Sequence, residues 1–272
     1  MTLKTEILIQ DKSSNGILRL VMNDLATRNS LSENMMNSLI DSIDIASKDK
    51  DTKVIVIAST GNVFCSGHDL KEINTARNND DQGNAYYDKL FKKCSTLMQA
   101  IINCPKPVIA EIDGTATAAG CQLVASCDLA IASNESMFAT PGVNIGLFCS
   151  TPMVALSRNV SNKNAMKMLL TGEMITAKKA KKIGLINTNV FKEDLKKEVL
   201  ELASIIASKS MMTISTGKEA FYTQSQMTLS DAYLYTADVM KENLLRSDAK
   251  EGISAFLEKR NPNWDGSEDL DS

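Results

Sequence analysis

The sequence predicts an α/β core followed by an all-helical end, and three patterns carry that expectation. Val54-Ile55-Val56-Ile57-Ala58 is a continuous, mostly β-branched run, as expected of a strand covered on both faces. Val108–Ile112 is a second such run, and each leads into a turn of small residues. From about Thr151 onward the apolar spacing is helical, interrupted at Thr171-Gly172 and Gly184-Leu185. At 272 residues and 43% hydrophobic, the chain can bury one large core or two modest ones.

In chain order, Ile7-Leu8-Ile9 and Ile17–Met22 read as strands split by Ser13-Ser14-Asn15-Gly16, a hairpin signal. Ser32-Glu33 opens a helix with Met36, Leu39, Ile40 and Ile43 on one face, Ser32 serving as its cap. After the Val54–Ala58 strand and its turn, Asn74–Asn84 is polar and reads as a mobile loop. Tyr86–Asn103 resumes helical spacing until Cys104-Pro105-Lys106-Pro107 stops it and launches the next strand. Leu129–Ala132 is a further short strand, and Ser150-Thr151-Pro152 reads as a helix start. Asp69 and Asp128, at element ends, read as backbone-bonding groups. Residues 1–200 form the expected β/α core and 201–272 a helical oligomerisation region.

Composition excludes several classes. The net charge of −3 argues against nucleic acid or an anionic membrane as the main partner. No apolar run approaches the roughly 18 residues needed to span a bilayer. The start, Met1-Thr2-Leu3-Lys4, lacks a signal peptide's apolar stretch and a transit peptide's arginines, which predicts a cytoplasmic protein or one already processed. The six cysteines (65, 94, 104, 121, 127, 149) show no CxxC pair and no metal-ligand spacing with the single histidine. Four read as small core hydrophobes, whereas Cys65 and Cys149 flank the candidate site, where reactive roles stay open.

The turns are Phe64-Cys65-Ser66-Gly67-His68-Asp69-Leu70 and Gly114-Thr115-Ala116-Thr117-Ala118-Ala119-Gly120-Cys121-Gln122-Leu123. Small residues there let a ligand approach the backbone closely and leave N–H groups pointing outward. Two N–H groups converging on one point would polarise a carbonyl, which suits chemistry turning a thioester oxygen into an enolate.

Through these turns, and through the strings Thr115–Cys127, Phe138–Pro152 and Gly252–Arg260, the chain resembles the crotonase (enoyl-CoA hydratase/isomerase) superfamily from about Glu6 to Trp264. The resemblance implies a spiral of ββα repeats with a C-terminal helical trimerisation region. It implies an acyl-CoA thioester as substrate, no covalently bound cofactor, no metal, and a role in fatty acid metabolism. It places the two oxyanion N–H donors on His68 and Ala119. The family's two hydratase glutamates fall on Gln122 and Gly142. An amide is neither acid nor base near neutral pH, and each positioned acid or base is worth roughly 10²–10⁴ in rate. Ordinary hydration is therefore expected to be crippled.

The resemblance further implies contacts to coenzyme A from Lys71, Phe256 and Lys259, the last two from a neighbouring subunit, and from Arg28 in the loop that wraps the pantetheine. Ser66, Gly67, Gly142 and Asn144 complete the expected substrate-binding set, Asn144 with turn completion as the plainer reading. The side chain of His68 keeps three open roles: catalytic, pocket-lining or structural. Three activities follow. One is a hydratase/isomerase-type enzyme using the N–H donors plus Gln122 and an ordered water. Another is a malonyl-type acyl-CoA decarboxylase with His68 lining the carboxylate pocket. The third is a non-catalytic acyl-CoA binder. A homotrimer or a dimer of trimers is the implied assembly.

Overall fold

A computed structural model describes residues 6–264. The chain begins with β1 (Leu8–Lys12), β2 (Ile17–Met22), α1 (Glu33–Lys48), β3 (Val54–Ser59), β4 (Val63–Cys65), α2 (Leu70–Ala76) and α3 (Asn84–Asn103). There follow β5 (Val108–Ile112), β6 (Thr115–Thr117), α4 (Ala119–Ser126), β7 (Leu129–Ser133), β8 (Met137–Ala139) and a 3-10 helix, Pro141–Ile145. The remainder is α5 (Ser150–Asn159), α6 (Asn162–Thr171), β9 (Ile175–Thr176), α7 (Ala177–Ile183), β10 (Thr188–Val190), α8 (Lys192–Ala207), α9 (Met211–Gln224), α10 (Leu229–Leu244) and α11 (Ser247–Glu258).

Two sheets record a repeating path. A six-stranded sheet runs β1-β2-β3-β5-β7-β10 and a four-stranded sheet runs β4-β6-β8-β9. Thus β3, β5 and β7 are parallel neighbours in the first, and β4, β6 and β8 are parallel neighbours in the second. Three times the chain adds one strand to each sheet and then turns into a helix. That is the expected ββα spiral. Its helices lie over one face of the large sheet, and α8 lies over the other.

Alternation explains the continuous apolar strands. Ile55 and Ile57 enter the main core with Leu39, Leu97 and Phe64, while Val54 and Val56 face Val199 and Ala203 of α8. Each fully buried aliphatic side chain contributes roughly 1.5–3 kcal/mol. The α8 stripe Leu195, Val199, Ala203, Ala207 repeats every four residues and continues to the helix end. A core boundary at residue 200 therefore cuts an element that covers the sheet, and the helices beyond the core begin with α9.

Asn74–Asn84 is built otherwise than its polarity predicts. Asp69 caps α2 by accepting from Lys71 N at 2.7 Å, and the helix runs on to Ala76. The following turns are pinned by Asp81, which accepts from Gly83 N (2.9 Å) and Ala85 N (2.7 Å). The tail is tied to the core through Asp128. Its carboxylate accepts from Val108 N (2.7 Å), from Lys218 Nζ (2.7 Å) and from the Tyr222 hydroxyl (2.9 Å). No helix of the described residues is long and apolar enough to cross a membrane.

Candidate active site

Two strand ends place the candidate residues side by side. β4 stops at Cys65, and Gly67 turns the chain with a φ of +94°. A Cβ there would lie 3.0 Å from Ala118 Cβ and 3.4 Å from Ala119 N. At the second turn, a Cβ on Gly120 would lie 2.2 Å from Cys65 O, so only glycine lets α4 close on β4. Ser66 stitches the neighbouring loops to this contact. Its N–H donates to Arg28 O (3.3 Å), its hydroxyl to Thr27 O (3.2 Å), and its carbonyl accepts from Thr117 Oγ1 (3.1 Å). The Ser66 hydroxyl is thereby engaged within the protein.

The second turn is strained. Ala118 holds φ +51° and ψ −118°, a region that a residue with a Cβ seldom occupies, while its N–H donates to Ala139 O at 3.0 Å. This conformation starts α4 at Ala119, and first-turn amides have no intrahelical acceptor. Neither Ala119 N–H nor His68 N–H donates to any described residue. Arg28 (φ +59°) and Asn29 (φ +54°) add a second strained pair beside Ser66. Asn29 is locked there, its Nδ2 donating to Thr60 O and Val63 O and its Oδ1 accepting from Asp24 N.

The side chains around the turns share one face of α3. The His68 ring meets Phe91 edge-on, centroids 5.8 Å apart, and its Nδ1 lies 3.3 Å from Leu31 O. One helical turn along, Cys94 Sγ lies 3.7 Å from Oε1 of the buried Gln122. Burial pushes the His68 pKa below its ordinary value, so the ring is neutral. His68 Nε2 is buried without a partner, as are the hydroxyls of Ser30 and Thr140. All six cysteines are free and buried. Burial pushes the Cys65 and Cys94 thiols up to about 12 and raises Cys149 as well. Burial favours the neutral thiol at Cys65 and Cys149 and so gives a reactive role at either no support.

Gly142 is closed, not merely empty. A Cβ there would meet Leu147 O at 2.5 Å and Cys149 Sγ at 2.9 Å, and Gly142 N donates to that sulfur at 3.3 Å. The loop folds back with Leu147 N bonded to Gly142 O at 2.9 Å, so Gly142 presents no surface for a substrate. Asn144 is exposed, and its amide packs against Gly172. Arg28 and Lys71 are exposed near the first turn. Phe256, 83% exposed, lines a groove of about 570 Å³ bordered only by residues of the tail, and Lys259 ends α11 with φ +58°. Among the described residues, no hydrogen bond or ion pair joins Phe256 or Lys259 to the two turns. The strain at Arg28 and Ala118 escaped the sequence reading, since neither residue type announces a left-handed backbone.

The profile of the enoyl-CoA hydratase/isomerase family matches residues 12–267. The chain belongs to this family. It is 47% identical over 257 residues, 94% of this chain and 84% of the relative, to enoyl-CoA hydratase domain-containing protein 3, mitochondrial, of Rattus norvegicus. The crystal structure of the human protein of that name superposes with a TM-score of 0.91 at 47% identity, covering 95% of this chain and 100% of that one. An enoyl-CoA hydratase of Mycobacterium smegmatis gives the same TM-score at 43% identity, covering 96% and 99%. Family membership makes the chain an acyl-CoA enzyme of the hydratase/isomerase type in outline. It also corrects the cytoplasmic expectation. The relatives named domain-containing protein 3 in rat, Mus musculus, Xenopus laevis, Homo sapiens and Danio rerio are all designated mitochondrial, pointing to that compartment.

Proposed function

We propose that the chain binds an acyl-CoA thioester with its carbonyl oxygen between the main-chain amides of His68 and Ala119, and moves a proton beside that carbonyl. What carries the reading is the pairing of two free amides on adjoining turns, one held by the strained Ala118. Donors fixed before the substrate arrives need no reorganisation as charge develops on the oxygen, and each is worth roughly 10²–10³ in rate. Gln122 lends an amide N–H and no proton chemistry. With Gly142 closed, ordinary two-glutamate hydration is disfavoured and enolate formation is the favoured step, in fatty acid metabolism. A neutral, uncharged His68 gives little support to a malonyl-type carboxylate pocket.

Arg28 and Lys71 would meet the coenzyme's phosphates from this chain, and Phe256 and Lys259 from a second one. That arrangement needs a second copy of the chain, which the reading supplies as a homotrimer or a pair of trimers, the assembly the family resemblance implies. The exposed Phe221, Tyr233, Leu234, Phe256 and Leu257 supply apolar surface for it.

The test compares butanoyl-CoA with its S-butyl thioether, which differs in the carbonyl oxygen alone. The thioester should bind at least tenfold tighter by calorimetry. Equal affinities would place the oxygen elsewhere. Binding with no turnover on any enoyl thioester would leave a non-catalytic binder.

A further inference from the structure

We propose that His68 Nε2 is the proton acceptor of this site, the base that takes the C2 proton of the bound thioester; this rests on the carbonyl placement above. The argument begins from an orphaned atom. Among the described residues, six buried side-chain polar atoms lack a partner: Arg19 Nε, Ser30 Oγ, Ser59 Oγ, His68 Nε2, Glu111 Oε2 and Thr140 Oγ1. Of these, only His68 Nε2 and Glu111 Oε2 belong to side chains that serve as Brønsted bases. Glu111 shares the α8 face of the large sheet with Ile109 and is paired to Arg19, away from the two turns. That leaves His68.

The ring's tautomer follows from its other nitrogen. A carbonyl oxygen only accepts, so Nδ1 facing Leu31 O carries the hydrogen and Nε2 carries the lone pair. A buried lone pair without a donor is costly, and such groups mark strain or catalytic use. Phe91 against the ring and Cys94 against Gln122 are three residues apart on α3, so imidazole and amide lie along one helix face beside the paired amides.

No neighbour competes for the role. Asp69 caps α2, Glu72 accepts from the Tyr86 hydroxyl, and Glu33 is paired with Lys89 and Lys93. Cys65 and Cys94 are neutral thiols, and Gln122 cannot take a proton. The depressed pKa of the ring keeps Nε2 unprotonated at neutral pH.

The step balances without a co-reactant. Nε2 takes the C2 proton, the C–H electron pair forms the C1–C2 double bond, and the carbonyl pair moves onto the oxygen held by the two amides. For a 3-enoyl thioester the same proton returns at C4, and the double bond shifts from C3–C4 to C2–C3. One base suffices for this transfer, which suits a site holding a single proton carrier.

The experiment follows C2 deuterium uptake by butanoyl-CoA in D2O, a probe that can be neither hydrated nor isomerised. The wild type should exchange, and His68→Gln, which keeps the backbone N–H, should lose roughly 100-fold or more at an affinity unchanged within about threefold. The wild-type rate should fall on acidification below the ordinary histidine range, and His68→Gln should lack that limb. Because the chain has one histidine, ¹⁵N spectra of the free wild type read its tautomer directly and decide the matter even if the variant fails to fold. Exchange in His68→Gln within threefold of wild type, wild-type binding without exchange, or an Nε2–H tautomer would each overturn the assignment while leaving the carbonyl site standing. Preference for the thioester lost to its thioether would instead remove the carbonyl site itself.

Discussion

The second and third repeats of the spiral share a plan and diverge after their second strand. In the second, β6 passes through the strained Ala118 into α4, leaving the Ala119 amide free and a buried Gln122 one turn along. In the third, β8 passes into a 3-10 turn whose chain doubles back, so that Leu147 and Cys149 cover Gly142. One repeat ends in an open donor and the other in a sealed loop. Equal topology thus does not confer equal chemistry; the path of four or five backbone units after the strand decides it.

The largest effect that would break this contrast is on the open repeat. Ala119→Pro removes the amide hydrogen at a first helical position, where proline's φ is acceptable, and should cut thioester turnover by roughly 10²–10³ with the circular dichroism retained. Turnover at the wild-type level in a folded variant removes Ala119 as a donor. Next comes the sealed repeat. Gly142→Glu should cost about 3 kcal/mol or more, through overpacking and a buried charge, and bring no hydration of crotonyl-CoA. A stable, hydrating variant would mean the loop opens readily.

Gln122→Glu sharpens the comparison from the other side. It should fold and raise crotonyl-CoA hydration on the order of tenfold, less than a positioned acid–base pair supplies because the second carboxylate is still missing. No gain at any pH would mean the Gln122 side chain does not reach the substrate. The smallest effect belongs to Cys149→Ala, which deletes the sulfur accepting from Gly142 N. Urea unfolding should show a loss of about 1 kcal/mol with turnover unaltered.

Much of this was legible from sequence because it depends on side-chain type. Strands at Val54 and Val108 are written in continuous apolar residues, since both sheet faces are covered. Ser32 was legible as a cap and accepts from Met35 N at 3.2 Å. The three-residue strands β4, β6 and β8 are too short for any periodicity and are defined by pairing alone. Asp69 was legible as a backbone-bonding group and caps α2, but the helix itself was missed because Tyr86 and Tyr87 secure it from 14 residues away, at Glu72 and Ile73. The positions of Gln122 and Gly142 were legible through family resemblance. The closure over Gly142 was not, since it is a carbonyl five residues away that blocks it.

The carboxylate that follows α4 has a further consequence. Lys218, beyond holding Asp128, also donates to Ile101 O (3.0 Å) and Lys106 O (3.1 Å), so a single ammonium from α9 fastens three separate segments of the core. A chain truncated after α8 would leave two carbonyls and an acid stranded at the foot of the helix that presents Ala119. Loss of α9 is therefore expected to weaken the core where α4 ends, and a chain cut there should unfold at lower urea than the full one.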